Sequence, residues 1–439
     1  MPQLIDTLIS ARWIIPIEPV RSVLRQHSVA IDKGRILTIL PTAEAPATYI
    51  AKETVDLGSH VLMPGLVNLH AHCAMSLLRG LADDLPLMDW LNHHIWPAEG
   101  RLVRDDFVYD GTLLALAEQL RSGVTCVNDM YFYPAATARA LLTAKMRGVV
   151  GATIMEFPTI YASDADDYLN KGLAARDEFS GESLISFTLA PHAPYTISDR
   201  TFGKVITLSE ELNLPIHIHL HESLSEIETS LQQFHIRPLA RLKALGLLSP
   251  NLIGVHCVHL NQEEIDWLAQ YGCHVAHNPT SNMKLASGIA PVNALLQAGV
   301  NVGIGTDSAA SNNRLDMFNE MRTTALLAKV ATLQADVVPA HQALEMATLH
   351  GAKALGLDHL IGSLKPGKAA DMCAIRLDDV ETAPCFDPIS HLVYAAGREH
   401  VTDVWVAGQR LLKSRELTTL HMAQLITRAR AWRDKVRNL

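Results

Sequence analysis

The sequence predicts an α/β fold: a (β/α)8 barrel with a small β-sandwich built from both chain ends. Eight short apolar runs alternate with longer stretches whose apolar residues recur at helical spacing, which is typical of βαβ units in a parallel sheet. Both chain ends instead contain short runs broken by turn residues. No glycine-rich phosphate-binding motif follows any run, which disfavours the alternative of an open doubly wound sheet.

The eight predicted barrel strands are spaced so that most intervals leave room for a helix. The strands are expected at 61–69, 124–128, 149–155, 186–190, 215–220, 252–256, 274–277 and 300–305. Helical patterns are found at 111–122, 135–147, 199–212, 226–245, 262–271 and 291–298. Because eight such units close a barrel, we expect the barrel to occupy residues 59–364.

The two chain ends are predicted to form hairpins that pair with each other. Residues 1–58 contain runs interrupted at Gly34 and Pro41, and residues 365–439 contain similar runs after Gly367. Neither end has enough apolar residues for its own core, so we expect one shared sandwich. The final stretch, 421–439, is predicted to form a helix with one apolar face, composed of Met422, Leu425, Ile426, Ala429, Trp432 and Val436.

The composition excludes several classes of function. Of the 439 residues, 48% are hydrophobic, and the net charge is −9. Without a basic stripe that could neutralise phosphates, nucleic acid is not expected as a partner. No apolar run reaches the roughly 18 residues that span a bilayer, and the first residues do not resemble a secretory signal, so no membrane partner and a cytoplasmic location are expected. Six scattered cysteines without a CxxC pair predict neither a disulfide framework nor a thiolate zinc site.

Histidine is the informative residue type, with 21 copies in the chain. His70 and His72 end the first predicted barrel strand. Residues i and i+2 of a strand share a face, so both rings can reach one point at the barrel mouth. Such a pair is a weak signal alone, but active sites of (β/α)8 barrels lie at the carboxyl ends of the strands.

A second cluster, HIHLHE, ends the fifth predicted strand. Its histidines, His217, His219 and His221, share strand parity, so their spacing cannot choose among them. We favour His219 because Glu222 follows three residues later, where a carboxylate can swing over a water molecule beside a metal. His217 lies a layer deeper and is expected to be a hydrogen-bonded core residue. The role of His221 stays open.

Two further polar residues follow strands six and eight. His256 ends strand six in VHCVH, and Asp307 follows strand eight in GIGTDSAAS. An isolated carboxylate at a strand end is more often a helix cap. Beside His70, His72 and His219, however, Asp307 completes a set of three imidazoles and one carboxylate. Such a set suits a single Zn²⁺ or Fe²⁺ ion.

The motifs PGLVNLHAH, HLHE, HCVH, HNPTSNMKL and TDSAAS occur in this order, followed by GSLKPGKAAD. With this set the chain resembles the amidohydrolase superfamily over essentially its full length. The resemblance is greatest to the branch of 5′-methylthioadenosine/S-adenosylhomocysteine deaminases, with atrazine-type chlorohydrolases and guanine deaminases as cousins. It implies metal ligands His70, His72, His219 and Asp307. Strand four ends in LAPHAP without the lysine of two-metal members, which implies one divalent ion per chain. Zn²⁺ is the expected ion, with Fe²⁺ and Mn²⁺ as alternatives.

The resemblance also suggests residues that bind substrate. Glu99 in IWPAE matches an acid expected to bind ribose hydroxyls, and His192 in APHAPYT matches a histidine near the base or sugar. Ser311 is a candidate donor to a ring nitrogen. The alternatives are a surface acid, a turn histidine and a turn cap, respectively. After strand three, MRGVVGATIMEF supplies only Arg147 as a further candidate to contact substrate, where related sequences have another arginine. This departure favours a neutral methylthio group over a charged homocysteine tail.

The functional hypothesis is hydrolytic deamination of an adenine nucleoside that carries a 5′-thioether. The resemblance implies attack of activated water on C6 of the purine. Asp307 is expected to take the proton of the water, Glu222 to protonate the ring nitrogen, and His256 to hold the water; both carboxylates contact substrate.

The expected partner of the protein is therefore a small nucleoside, and whether the chain forms a homo-oligomer stays open. One alternative function is that of a triazine chlorohydrolase or guanine deaminase, whose substrate has no ribose for Glu99 to bind. A remote alternative is a non-catalytic barrel that serves binding or assembly.

Overall fold

The computed structural model describes residues 1–437. The chain begins with five strands of a mixed sheet: β1 (Gln3–Ile14), β2 (Leu24–Asp32), β3 (Arg35–Pro41), β4 (Tyr49–Asp56) and β5 (His60–Pro64). Strand β1 pairs antiparallel with β2 and parallel with β4 and β5. Strand β4 is not among the predicted strands, because its residues are mostly exposed and lack a clear alternation of apolar and polar side chains.

Eight parallel strands then form the barrel that the sequence predicts. They are β6 (Leu66–Ala71), β7 (Val124–Tyr131), β8 (Arg147–Ile154), β9 (Ile185–Pro191), β10 (Ile216–Leu220), β11 (Leu252–His256), β12 (His274–His277) and β13 (Asn301–Ile304). Most of their residues are buried, as expected for parallel strands covered on both faces. After β13, the backbone N–H of Asp307 donates to the carbonyl oxygen of His70 at 3.0 Å, which joins the last strand to the first.

The first predicted barrel strand, 61–69, is two strands in the structure. Strand β5 belongs to the terminal sheet, and β6 belongs to the barrel. The break falls at Gly65, where a Cβ atom would lie 2.0 Å from Oγ1 of Thr125. Only glycine therefore allows the backbone to pass so close to β7. By its strand pairing, the barrel begins at Leu66 rather than at residue 59.

The C-terminal strands complete the sheet that begins at the N-terminus. They are β14 (Met372–Arg376), β15 (Val401–Val406), β16 (Gln409–Lys413) and β17 (Glu416–Leu417). Antiparallel pairing of β14 with β5 joins both chain ends into one nine-stranded sheet. Its core includes Ile9, Ile31, Leu62, Met372 and Trp405. The prediction that the two ends pair beside the barrel is confirmed.

Helices connect the strands and surround the barrel. The α-helices are Ala45–Thr48, Leu87–Trp90, Trp96–Leu102, Asp105–Leu120, Pro134–Ala144, Ala165–Glu178, Asp199–Leu212, Leu224–Phe234, Pro238–Ala244, Gln262–Gln270, Pro279–Lys284, Val292–Gln297, Met317–Thr332, Ala340–Met346, Leu349–Ala354, Pro388–Tyr394 and Met422–Arg437. Short segments of 3-10 or π-helix lie at Thr42–Glu44, Cys73–Leu78, Leu91–Ile95, Pro194–Thr196 and Arg398–His400. Within residues 1–437, every helix is too short or too polar to cross a membrane.

The last helix packs on the barrel rather than on the terminal sheet. The Nε1–H of Trp432 donates to Oδ2 of Asp110 at 2.9 Å, and its ring packs edge-on against Phe107. Of the predicted apolar face, Leu425, Trp432 and Val436 are buried, whereas Met422 and Ile426 are exposed. The predicted extension to residue 439 lies outside the described residues.

Candidate active site

A cavity of about 320 Å³ opens at the carboxyl ends of the barrel strands. This volume lies within the range of small-molecule binding sites. The cavity is lined by polar side chains in the last residues of the strands or in the chain just after them, namely His72, His192, His219, Glu222, His256, Asp307 and Ser311. The residues that the sequence singles out at separate strand ends therefore meet in one place.

Three imidazoles and one carboxylate converge at the bottom of this cavity. Nε2 of His72 lies 3.3 Å from Nε2 of His219. Oδ1 of Asp307 lies 3.3 Å from Nε2 of His70 and 3.4 Å from Nε2 of His72. A second, overlapping group consists of His70, Asp307 and His256, whose donor atoms lie within 4.8 Å of one another. The four residues expected to bind metal thus form one cluster, with His256 at its edge.

The opposite nitrogen of each ring has a partner of its own. The Nδ1–H groups of His72 and His219 donate to backbone carbonyl oxygens at 2.5 Å and 2.8 Å. Nδ1 of His70 is hydrogen bonded to Nε2 of His217 at 3.0 Å. His217 is fully buried, in line with the core role expected for it. These bonds hold the rings so that the three Nε2 atoms face the same point.

The residues present fit a divalent metal ion. The buried Nε2 atom of His70 finds no hydrogen-bond partner among residues 1–437, which is unfavourable unless a ligand occupies the position. Ligand atoms of a tetrahedral zinc site with bonds of about 2.0–2.1 Å lie about 3.3 Å apart. The separations in the cluster, 3.3 and 3.4 Å, agree with this spacing. Burial lowers the pKa of His70 to about 4, which keeps its ring in the neutral form that binds metals.

Glu222 and His256 border the cluster on the substrate side. Oε2 of Glu222 lies 3.7 Å from Nε2 of His256, which lies 4.0 Å from Oδ2 of Asp307. Burial raises the pKa of Glu222, an effect that His256 opposes and that the charge of Asp307 reinforces. A raised pKa brings a carboxyl group closer to the working range of a general acid.

The short helix Pro279–Lys284 supports two of these groups. Ser281 donates its hydroxyl hydrogen to Oδ2 of Asp307 at 2.6 Å, and Nδ1–H of His256 donates to Oδ1 of Asn282 at 2.8 Å. All four side chains are buried. Ser281 and Asn282 are not among the functional residues predicted from the sequence. Only their place in the HNPTSNMKL motif indicated a functional role. Local spacing could not predict the contacts, because each partner lies 26 positions away along the chain.

A second buried carboxylate fixes the backbone that presents Glu222. Glu226 accepts hydrogen bonds from the backbone N–H groups of His221 and Glu222, one on each carboxylate oxygen, both at 2.9 Å.

The structure also answers the open question about His221. Its Nε2 accepts the N–H of Leu239 at 3.1 Å, and its Nδ1–H donates to the carbonyl oxygen of His259 at 3.3 Å. Both ring nitrogens of His221 therefore connect backbone segments.

Three of the residues expected to contact substrate line the cavity, namely Glu99, His192 and Ser311. Glu99 accepts a hydrogen bond from the hydroxyl of Tyr131 at 2.6 Å. Burial raises the pKa of Glu99 to about 7, an effect that this hydrogen bond opposes. His192 follows β9, and burial lowers its pKa to about 3, so its ring is neutral. The hydroxyl of Ser311 is hydrogen bonded to that of Ser281 at 2.8 Å.

Arg147 does not reach the cavity. It is the first residue of β8, so it lies at the opposite end of the barrel. Its Nε–H and Nη2–H groups donate to the two carboxylate oxygens of Asp371 at 2.8 and 3.2 Å, and both residues are buried. The expectation that Arg147 contacts substrate is wrong, because its guanidinium group pairs with Asp371 at the amino-terminal end of the barrel strands.

Apolar side chains form most of the cavity wall. The chain between β6 and β7 contributes Leu87, Trp90, Leu91, Ile95 and Trp96, and the chain after β8 contributes Met155, Phe157 and Ile160. Among the described residues, no lysine or arginine lines the cavity. No helix or strand is predicted from the sequence at 73–102. The spacing of Leu87, Leu91 and Ile95 is helical and offered a signal there.

Comparison with known proteins identifies the family. A model of the amidohydrolase family matches residues 61–411. The chain belongs to the amidohydrolase family. A family relative from Teredinibacter turnerae, named 5-methylthioadenosine/S-adenosylhomocysteine deaminase, is 46% identical over 435 residues, which cover 98% of each chain. The resemblance found from the motifs is therefore confirmed, and with it the enzyme class of a hydrolase.

Solved structures of amidohydrolase-like proteins agree with this assignment. An adenosine deaminase from Xanthomonas campestris with bound zinc is 47% identical, with a TM-score of 0.99 and complete coverage of both chains. Atrazine chlorohydrolase from Arthrobacter aurescens TC1, complexed with zinc, has a TM-score of 0.89 at 22% identity, covering 97% of this chain and 99% of the other. At that identity, the likeness to the chlorohydrolase shows the fold alone.

Proposed function

We propose that the protein is a metal-dependent deaminase of adenine nucleosides with a 5′-thioether, and that 5′-methylthioadenosine is its preferred substrate. The observation that carries this proposal is the convergence of His70, His72, His219 and Asp307 beside Glu222, with Glu99 on the wall of the same cavity. Support comes from the names of the relatives that are 46–47% identical over the whole chain.

The proposed cofactor is one divalent ion per chain, Zn²⁺ rather than Fe²⁺ or Mn²⁺. His70, His72, His219 and Asp307 would hold it, because their free donor atoms have the spacing of a tetrahedral site. When bound, such an ion activates a water molecule as a nucleophile at neutral pH. Zinc in the adenosine deaminase of Xanthomonas campestris supports the choice of metal.

Two carboxylates and one imidazole divide the proton transfers. Oδ2 of Asp307 takes the proton of the attacking water, while the carboxyl group of Glu222 delivers a proton to the ring nitrogen next to C6. Nε2 of His256 lies between both carboxylates, at 3.7 Å and 4.0 Å, and holds the water in line with C6. The raised pKa of Glu222, caused by burial, suits a proton donor. Asp307 then passes its proton to the leaving amino group, and Glu222 takes back a proton from the C6 hydroxyl as the carbonyl forms. Ammonia and the inosine analogue are the products.

The remaining side chains select the nucleoside. Glu99 accepts hydrogen bonds from the ribose hydroxyls, and neutral His192 and Ser311 contact the base or sugar. The apolar wall with Trp90 and Ile95 accommodates the 5′-substituent. Because no lysine or arginine of the described chain lines the cavity, a homocysteine carboxylate finds no cation to pair with. We therefore expect S-adenosylhomocysteine to be a poorer substrate than 5′-methylthioadenosine.

A substrate panel tests the proposal. Ammonia release is measured with 5′-methylthioadenosine, S-adenosylhomocysteine, adenosine, guanine and a chlorotriazine. We expect kcat/KM to decrease from 5′-methylthioadenosine to S-adenosylhomocysteine, and adenosine to trail because it leaves the apolar wall unfilled. The 5′-methylthio group is comparable in size to one or two methylenes, and a group of this size contributes about 1–3 kcal/mol to the discrimination between substrates. If guanine or the chlorotriazine is a better substrate than every adenine nucleoside, the proposal is wrong.

The small nucleoside is the only partner proposed. The cytoplasmic location stays a prediction, and whether the chain forms a homo-oligomer stays open. Size-exclusion chromatography with light scattering would answer the second.

A further inference from the structure

Glu99 and Tyr131 lie on different parts of the fold and meet at the cavity wall. Glu99 is on the helix Trp96–Leu102, which belongs to the chain inserted between β6 and β7. Tyr131 is the last residue of β7 and is 5% exposed. Its hydroxyl donates to Oε1 of Glu99 at 2.6 Å. This single bond therefore ties the carboxylate of the insertion to the rigid end of a barrel strand.

Tyr131 is itself held in place by its neighbours. Thr153 on β8 donates its hydroxyl hydrogen to the carbonyl oxygen of Tyr131 at 3.0 Å. The ring centroid of Tyr131 lies 5.3 Å from that of Phe132 and 6.4 Å from that of His72. The phenol hydroxyl is thus a fixed point from which the orientation of Glu99 is set.

The carboxylate of Glu99 has few other constraints. Within residues 1–437, Tyr131 is the only side chain that donates to it, and no lysine or arginine pairs with it. An ionised carboxylate can accept about four hydrogen bonds, so one from Tyr131 leaves Oε2 and a second position on Oε1 for a ligand. Hydrogen bonds to an ionised acceptor at this length are about twice as strong as neutral ones.

We propose that Tyr131 is a positioning residue that sets the selectivity for ribose, because it holds the carboxylate of Glu99 where both hydroxyls of a cis-diol can donate to it. The inference rests on the proposed function, in which Glu99 faces the ribose. Without the phenol hydroxyl, Glu99 can rotate about its side-chain bonds and loses its alignment with the 2′- and 3′-hydroxyls. Burial raises the pKa of Glu99 to about 7, and the hydrogen bond from Tyr131 favours the ionised form that accepts both hydroxyls.

The test is the variant Tyr131→Phe, which removes one oxygen atom and keeps the ring. Steady-state kinetics are measured with adenosine and 2′-deoxyadenosine. We expect kcat/KM for adenosine to fall about tenfold or more, the scale of a hydrogen bond to a charged group. The value for 2′-deoxyadenosine should fall much less, so the ratio of the two shrinks. The matched control is Tyr109→Phe, which removes a hydroxyl bonded to Thr143 at 3.1 Å; neither residue lines the cavity.

A double-mutant cycle separates positioning from a general loss of structure. In the Glu99→Ala background, Tyr131→Phe should leave the ratio of adenosine to 2′-deoxyadenosine unchanged, because the group it positions is absent. Zinc content and the thermal unfolding midpoint report whether each variant is folded. Equal losses for both nucleosides in Tyr131→Phe, or the same ratio change in the Glu99→Ala background, would overturn the inference alone. A native enzyme that deaminates neither nucleoside nor 5′-methylthioadenosine would overturn the proposed function, and the inference with it.

Discussion

The Nδ1 atom of His256 lies 2.8 Å from Oδ1 of Asn282. Because the amide oxygen accepts this hydrogen bond, Nδ1 carries the hydrogen, and Nε2 faces the cavity. This Nε2 atom lies 3.7 Å from Glu222 and 4.0 Å from Asp307. In this tautomer His256 can accept a hydrogen bond from a water molecule between the two carboxylates.

The first prediction concerns Asn282. The Asn282→Ala variant should lower kcat by about 10–100-fold, the usual effect of losing a residue that orients a functional histidine. Asn282→Asp keeps an acceptor at the same place and should retain more activity than the alanine variant. The measurements are kcat and bound metal, with Asn251→Ala as a control because Asn251 bonds to Ser209, outside the cavity lining. An unchanged kcat for Asn282→Ala would show that His256 needs no orienting partner.

The second prediction concerns the metal. Purified protein should contain about one divalent ion per chain, and a chelator should abolish activity and lower the thermal unfolding midpoint. His219→Ala should lose the ion, whereas His256→Ala should keep it with reduced turnover. This pair distinguishes the two overlapping groups that share His70. His391→Ala, outside the cavity lining, is the control. Two firmly bound ions, or full activity without metal, would contradict the site.

The third prediction concerns proton transfer by Glu222. Glu222→Gln should retain metal and bind substrate, yet lose about 10²–10⁴-fold in kcat, because the amide cannot deliver the proton. Glu228→Gln, on the exposed side of the following helix, is the matched control. Metal analysis and substrate titration accompany the kinetics. Turnover like that of the native enzyme in Glu222→Gln would mean that another group supplies the proton.

Strand ends were the part of the fold that the sequence predicted best. Parallel strands of a barrel all run the same way, so residues that follow them must meet at one end. This rule brings His70, His219, His256 and Asp307 together without knowledge of any contact. The same rule separates Arg147 from them, because Arg147 precedes its strand. Arg147 was predicted to contact substrate by comparison with related sequences, and the direction of its strand was not considered. The prediction was wrong for that reason.

Contacts between distant segments were not predictable. The run 61–69 gave no local sign that Met63 pairs with Cys373 in the terminal sheet while Leu66 enters the barrel. Likewise, the hydroxyl of Tyr131 meets Glu99 only because an inserted helix folds over the end of β7. The periodicity of apolar residues predicts which face of a segment is buried, but it does not indicate which other segment packs against that face.

The last prediction concerns the pair of Arg147 and Asp371. Removing one partner leaves a buried charge uncompensated, so Arg147→Met should lower the free energy of unfolding by about 3–5 kcal/mol. The additional change Asp371→Asn should recover part of this loss, since it removes the orphaned charge. Because the pair lies at the opposite end of the barrel from the cavity, KM for 5′-methylthioadenosine should not change in the folded variant. Denaturant titration and steady-state kinetics give both quantities. A raised KM at unchanged stability would return Arg147 to the substrate site.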